Sequence, residues 1–286
     1  MRGVILGLLA AAIWGAPALA APRFSEIRLS TGVRLHYAEE GPANGSPVIM
    51  LHGLSDSWFS FSKVMPLLGK RHRVYALDLR GHGNSDKPAT GYHMRNLAED
   101  VVAFMDAQKI ARATIVGHSM GSFVAQQVAL AAPHRVSRLV LVGSGTTPNE
   151  FGGMQEFYDA AAALPEPVPE AFARDFQVST IYRPVGDAFL ERAIDESLKL
   201  PSRVWRELVK GMSATDAAVG LGRLNIPTLV LAGDKDTFAL PKLQPPLVAM
   251  LKSAKLKMYK ETGHAVHWER PDEFARDVDL FMNGKR

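Results

Sequence analysis

A short apolar run, residues 113–116, leads straight into Gly117-His118-Ser119-Met120-Gly121, and a helical pattern begins at once over residues 122–132. Strand, tight turn and helix, with a serine at the turn and glycine two residues away on each side, is the context of a nucleophile elbow. The turn forces the serine backbone into a strained conformation and lifts its hydroxyl off the sheet edge. A larger residue at Gly117 or Gly121 would drive a Cβ into the neighbouring strand and helix. The serine sits at a helix N-terminus, where unpaired N–H groups stabilise developing negative charge. A chain with this element needs an open sheet on which to mount it.

Length and composition allow such a sheet. The 286 residues are 47% hydrophobic, which suffices for one large core or a core with an inserted lobe. No repeat, heptad run or long low-complexity tract is present. The net charge is +4, but Lys and Arg alternate with Asp and Glu, so no basic stripe forms and nucleic acid is not an expected partner. There is no cysteine, which excludes disulfides, thiolate catalysis, Cys-ligated metal and a lipobox anchor. No pair of histidines four apart encloses an acid, which argues against a zinc site of the metalloprotease type.

The N-terminal segment has its own logic. Arg2 precedes an apolar run, residues 4–14, too short to cross a bilayer comfortably, and Ala18-Leu19-Ala20 supplies a small-residue cleavage signal. Residues 1–20 are predicted to be a secretory signal peptide, with a mature chain starting near Ala21-Pro22 and no stable membrane insertion after cleavage. An uncleaved N-terminal anchor is the other reading. No Arg-Arg pair precedes the apolar run, so a twin-arginine route is not expected. An exported protein without disulfides suits a bacterial periplasm or the culture medium, away from substrates confined to the cytosol.

Beyond residue 20, strand and helix patterns alternate. Residues 27–29 and 33–37 read as an antiparallel pair turned at Thr31-Gly32. Residues 48–51, 74–77, 114–116, 139–142, 228–232 and 256–259 read as buried strands. Residues 58–68, 94–108, 119–131 and 271–281 read as helices, and residues 248–251 close another. This order implies a mostly parallel sheet covered on both faces. Residues 147–225 break the rhythm. They contain no strand pattern, only helical stretches at 155–163, 169–180, 187–198 and 202–212 separated by prolines. The expected organisation is a core over 21–146 and 226–286, with a helical cap over 147–225 lying across the sheet's C-terminal edge, where open α/β sheets bind ligands. The cap is rich in aromatic and Met side chains, from Phe151 and Met154 to Trp205 and Met212; most should pack the cap, and the sequence does not say which line a pocket. Gly152-Gly153, Gly220 and Gly222 stand at its ends as hinges or as ordinary turn glycines.

A serine hydroxyl needs a base to remove its proton and an acid to orient the base. Two loops after late strands supply candidates. Gly233-Asp234-Lys235-Asp236 offers Asp236 as the acid, with Asp234, nearer the strand end, as its rival. Glu261-Thr262-Gly263-His264-Ala265-Val266-His267 offers His264 as the base, while His267 reads as a packing or capping residue. The order Ser, Asp, His matches this class of sheet. His118 flanks the serine in a shaping position. The oxyanion hole needs two N–H donors. Met120, directly after the serine, offers one; Leu54, in His52-Gly53-Leu54-Ser55 after the first buried strand, offers the other.

With these residues in place, the chain resembles the α/β-hydrolase superfamily, in its capped serine-hydrolase, esterase-like branch. Leu51-His52-Gly53, the segment from Asp78 through Arg80 to Asp86, the Ser119 elbow, the Asp236 loop and Gly263-His264 carry the resemblance, in the family's order. It implies an eight-stranded, mostly parallel sheet with the cap inserted after the sixth strand. It also implies that Asp78 and Arg80 are structural. Relatives that hydrolyse epoxides or haloalkanes carry Asp in place of Ser119. Carbon–carbon bond hydrolases usually have Asn and Trp where His118 and Ala265 stand. Cofactor-free haloperoxidases usually carry Phe at His118, and prolyl aminopeptidases use a different elbow. The resemblance therefore implies carboxylic ester or lactone hydrolysis of a small-molecule substrate, with no metal or organic cofactor. The other readings are a carbon–carbon bond hydrolase and a binding protein of the same fold.

Overall fold

The computed structural model describes residues 21–216 and 218–284. The predicted signal peptide, residues 1–20, lies outside the described residues. Chain order runs β1 (Arg23–Arg28), β2 (Arg34–Glu40), β3 (Ser46–Leu51), α1 (Met65–Leu68), β4 (His72–Leu77), α2 (Met94–Ala107), β5 (Ala113–His118), α3 (Met120–Ala131) and β6 (Val136–Val142). Four longer helices follow, α4 (Met154–Ala162), α5 (Glu170–Ser179), α6 (Asp187–Leu198) and α7 (Ser202–Ser213), then the short α8 (Ala218–Leu221). The chain returns through β7 (Thr228–Gly233), α9 (Gln244–Met250), β8 (Ala254–Tyr259), α10 (Val266–Glu269) and α11 (Pro271–Met282).

One eight-stranded sheet results, in the order β1-β2-β4-β3-β5-β6-β7-β8. The β1–β2 and β2–β4 pairs are antiparallel, and every later pair is parallel. Successive side chains of a strand point to opposite faces, so each parallel strand must be apolar throughout to be covered on both. The inner strands meet this over the runs at the centre of the sheet. Ile49, Leu51, Tyr75, Leu77, Ile115, Leu139 and Leu141 pack on one side with Leu97, Val101 and Phe104 of α2 and Phe123, Val124 and Val128 of α3. Val48, Met50, Val74, Ala76, Val116, Val140 and Val142 pack on the other with Met65 and Leu68 of α1 and Phe274 and Val278 of α11. The edge strands, β1 largely exposed and β8 partly so, carry Arg23, Arg28, Lys255 and Lys257, charges that discourage pairing with another chain.

Two expectations need correction. The single helix expected over residues 58–68 is instead a 3₁₀ turn, Trp58–Phe61, followed by α1. Pro66 explains the break: it lacks the N–H that would bond Ser62, and its ring would clash with that carbonyl. Asp78 Oδ1 also accepts the Trp58 N–H at 2.7 Å and the Ser57 hydroxyl caps the turn, which fixes the first segment independently. The first hairpin is longer than the 27–29 and 33–37 pair, extending to Arg23 and Glu40, although its turn is where Thr31-Gly32 predicts it.

Candidate active site

Ser119 is placed by strain. Its φ and ψ are 51° and −120°, a region unfavourable for a residue with a Cβ, and it caps α3 without contributing a side-chain hydrogen bond to the helix. Neighbouring backbone enforces the turn. A Cβ on Gly117 would lie 2.3 Å from the Gly121 carbonyl oxygen, and one on Gly121 would lie 2.2 Å from that of Leu51. The Ser119 N–H donates to Val142 O at 2.9 Å, tying the elbow to β6.

His264 and Asp236 meet. The His264 Nδ1–H donates to Asp236 Oδ2 at 2.8 Å, and both side chains are buried. Asp236 Oδ1 accepts the Phe238 N–H at 2.8 Å. That fixes the carboxylate plane, and with Nδ1 protonated, His264 Nε2 is left as the ring's acceptor. Asp234 does not reach the imidazole; its Oδ1 accepts the Thr262 N–H instead. The loop bearing His264 is pinned from the helical segment: the N–H groups of His264 and Ala265 both donate to Thr180 O, at 2.9 and 3.1 Å, just beyond the end of α5. Ser119 and His264 line one cavity. No hydrogen bond joins their side chains among the described residues.

Of the two expected oxyanion donors, Leu54 lines this cavity and Met120 directly follows Ser119, which does. Met120 opens α3, so its N–H is among those a helix leaves unpaired. The Leu54 N–H is aimed by His52. The buried His52 ring accepts the Leu79 N–H on Nε2 at 3.1 Å and donates from Nδ1 to Gly53 O at 2.7 Å. Carbonyl and N–H point opposite ways across a trans peptide, so anchoring Gly53 O on His52 sends the Leu54 N–H to the other side. Burial holds the His52 pKa below its usual value, which keeps the ring neutral and suited to this donor–acceptor pair.

The cavity is narrow, about 30 Å³, which is room for roughly two water molecules. Phe151, Met154, Phe157, Phe176 and Met212 line it from the segment between β6 and β7, Phe238 from the loop after β7, and Trp268 from α10. Of the other aromatic side chains there, Phe172 and Trp205 pack edge to face with each other, and Tyr182 is 54% exposed.

Three polar side chains in the wall were not expected as a group: Asp56, His118 and Gln177. Asp56 is 5% exposed; its Oδ1 accepts from Gln177 Nε2 at 3.0 Å and its Oδ2 from the Ser60 hydroxyl at 3.1 Å. Burial pushes its carboxyl up to about 6, against those two hydrogen bonds. His118 Nε2 donates to His264 O at 3.3 Å, and burial holds its pKa well below the usual value. His267 is also buried. With the Ser60 hydroxyl proton committed to Asp56, its Nε2 donates to Ser60 Oγ at 3.0 Å, and burial lowers its pKa to about 3. The structural role expected for Asp78 and Arg80 is met by a bidentate contact of Arg80 with Asp100, and by Asp78 accepting the Trp58 and Asn84 N–H groups. Asp56 gave no sequence signal, since Ser55-Asp56-Ser57 reads as a polar turn. Gln177 was traceable in principle, lying four residues after buried Ala173 on the inward face of α5.

Comparison with known proteins agrees with the architecture. A family model described as the alpha/beta hydrolase fold matches residues 46–271. A 2-hydroxy-6-oxononadienedioate/2-hydroxy-6-oxononatrienedioate hydrolase from Paraburkholderia xenovorans (strain LB400) is 30% identical over 275 residues, covering 91% of this chain and 94% of the relative. A non-heme chloroperoxidase from Streptomyces lividans is 29% identical, covering 90% of this chain and 98% of that protein. The crystal structure of an esterase from Rhodococcus sp. ECU1013 superposes with a TM-score of 0.83 at 26% identity, covering 92% of this chain and 99% of the esterase. The relatives share a plan and are named for different activities. The chain belongs to the α/β-hydrolase family.

Proposed function

We propose that this protein hydrolyses carboxylic esters of small to medium hydrophobic molecules through an acyl-enzyme on Ser119. One observation carries the reading: a serine held at φ 51° shares a cavity with an imidazole whose Nδ1 is committed to a buried carboxylate. In this mechanism His264 Nε2 takes the hydroxyl proton as Ser119 Oγ attacks the ester carbonyl. The Leu54 and Met120 N–H groups hold the oxyanion. Collapse breaks the carbon–oxygen bond, and the alcohol leaves with the proton from His264. Water, deprotonated by the same nitrogen, then attacks the acyl-enzyme and releases the acid with Ser119 restored. Asp236 fixes the tautomer and stabilises the imidazolium. The aromatic wall supports apolar substrates over highly charged ones.

The test is covalent labelling by a fluorophosphonate together with turnover of p-nitrophenyl butyrate. Labelling and turnover in the unaltered protein, with both lost in Ser119→Ala, is the expected result. Turnover retained in that variant would sink the reading, and a binding protein of this fold would not label. The 30% identity to a hydrolase named for a dienedioate keeps a carbon–carbon hydrolase as the second reading. A dienoate and a lactone beside the simple ester separate the possibilities.

A further inference from the structure

The polar corner of the cavity contains acceptors without a donor. Gln177 Nε2 contacts Asp56 Oδ1 at 3.0 Å and Ser197 Oγ at 2.7 Å. A carboxylate only accepts, so the amide nitrogen must be the end that faces it and the oxygen Oε1 is left over. That oxygen is buried and has no partner, in a residue that is 1% exposed. His118 presents the same situation. Its Nε2 faces the carbonyl of His264 and must carry the proton, so Nδ1 is an acceptor, and it too is buried without a partner in a residue 2% exposed. Nδ1 lies 3.9 Å from Asp56 Oδ2, too far for a hydrogen bond. No Lys or Arg lines the cavity among the described residues. A buried acceptor left unpaired is costly, and two of them on residues that line one cavity, beside the buried Asp56 carboxylate, call for a donor from outside the chain.

The corner adjoins the reaction centre. A Cβ built on Gly53 would stand 3.1 Å from His118 Nδ1 and 3.2 Å from Asp56 Oδ2. The space flanked by these two acceptors therefore begins at the residue immediately before Leu54, whose N–H is the proposed oxyanion donor. Resting on the ester-hydrolase reading, we propose that this cavity selects esters carrying a hydrogen-bond donor, an ammonium or a hydroxyl, close to the reacting carbonyl, and that Asp56, His118 and Gln177 receive it. A primary ammonium supplies donors to the two unpaired acceptors and offsets the charge of the Asp56 carboxylate beside them. A hydroxyl supplies one donor and leaves part of the corner unpaired.

The test compares kcat/KM at pH 8 for methyl butyrate, methyl 3-hydroxybutyrate and methyl 3-aminobutyrate, followed by proton release. The matched 2-hydroxyethyl and 2-aminoethyl butyrates place the donor on the alcohol side. The expected result is a preference of at least about tenfold for a donor-bearing ester over its plain partner. That preference should collapse toward one in Asp56→Asn, and in Gln177→Leu should the first variant fold poorly. The hydroxyl and amino arms identify the donor. Equal values across the panel, or a preference for the plain ester, overturn the proposal. The ester reading is judged separately, by turnover of methyl butyrate itself. If no ester is cleaved, the same five compounds are titrated into the protein by calorimetry. A tenfold tighter Kd for a donor-bearing ester then upholds the acceptor corner although the ester reading has failed, and equal Kd values overturn both.

Discussion

Two sides of one cavity treat their polar atoms in opposite ways. Around Asp236 the chain satisfies its own groups: one carboxylate oxygen takes the His264 ring, the other takes the Phe238 N–H, and the base's loop is anchored on Thr180. Around Asp56 it does not, since Gln177 Oε1 and His118 Nδ1 are buried with nothing to bond. A satisfied network holds a geometry, whereas an unsatisfied one sets a demand that only a ligand can meet. The first side is suited to moving a proton, and the second to choosing what is bound.

Substitutions can break this contrast. The largest effect belongs to the satisfied side: Ser119→Ala should lower kcat on p-nitrophenyl butyrate by about 10⁶-fold, with circular dichroism unchanged. Asp236→Asn keeps the shape but allows the wrong His264 tautomer, and should lower kcat by about 10⁴-fold; a loss under tenfold would remove Asp236 from the relay. The unsatisfied side should answer in stability. The Asp56 carboxyl is raised from 3.8 to about 6 by burial, so the folded protein binds this proton more tightly than the unfolded chain. Its stabilising contribution is complete below pH 3.8 and is lost as pH rises through about 6. Above that, Asp56 is a charge held out of water. Asp56→Asn should therefore raise stability by roughly 1–3 kcal/mol at pH 8 and by much less at pH 4, read by urea denaturation at both values. A variant less stable than the parent at pH 8 would mean that the hydrogen bonds from Gln177 and Ser60 outweigh the cost of holding the charge out of water. The smallest effect sharpens the comparison most. The preference for an amino ester over its plain partner should fall severalfold between pH 8 and pH 5, as Asp56 takes up its proton. Taking the ratio cancels the ionisation of the relay, which both substrates share.

The parallel strands were legible because burial on both faces demands unbroken apolar runs, and Val48 through Leu51 or Leu139 through Val142 have no polar residue to confuse the reading. Ser119, Asp236 and His264 were legible because each sits in a loop after such a strand, next to glycines that the close backbone requires. Asp56 was not, because nothing local tells a buried carboxylate from a turn residue; its burial comes from Gln177, more than a hundred residues away, and from Ser60 beside it. The division of the aromatic residues between packing and lining was also hidden, since Phe176 and Phe172 are equally apolar, yet only Phe176 lines the cavity. Pro66, by contrast, was visible in the sequence, and its effect on the 58–68 segment follows from its chemistry alone.

The two bonds that Thr180 O receives from the His264 loop have a mechanical meaning. They fasten the end of α5 to the strand-end loop that carries the imidazole, while the Gly152 N–H fastens the start of the same helical segment to Phe238 O, two residues past Asp236. Any movement that widened the narrow cavity by swinging these helices outward would tug on both halves of the imidazole–carboxylate pair. The helical segment and the His264–Asp236 pair are thus mechanically interlocked: three backbone bonds make the position of one a constraint on the geometry of the other.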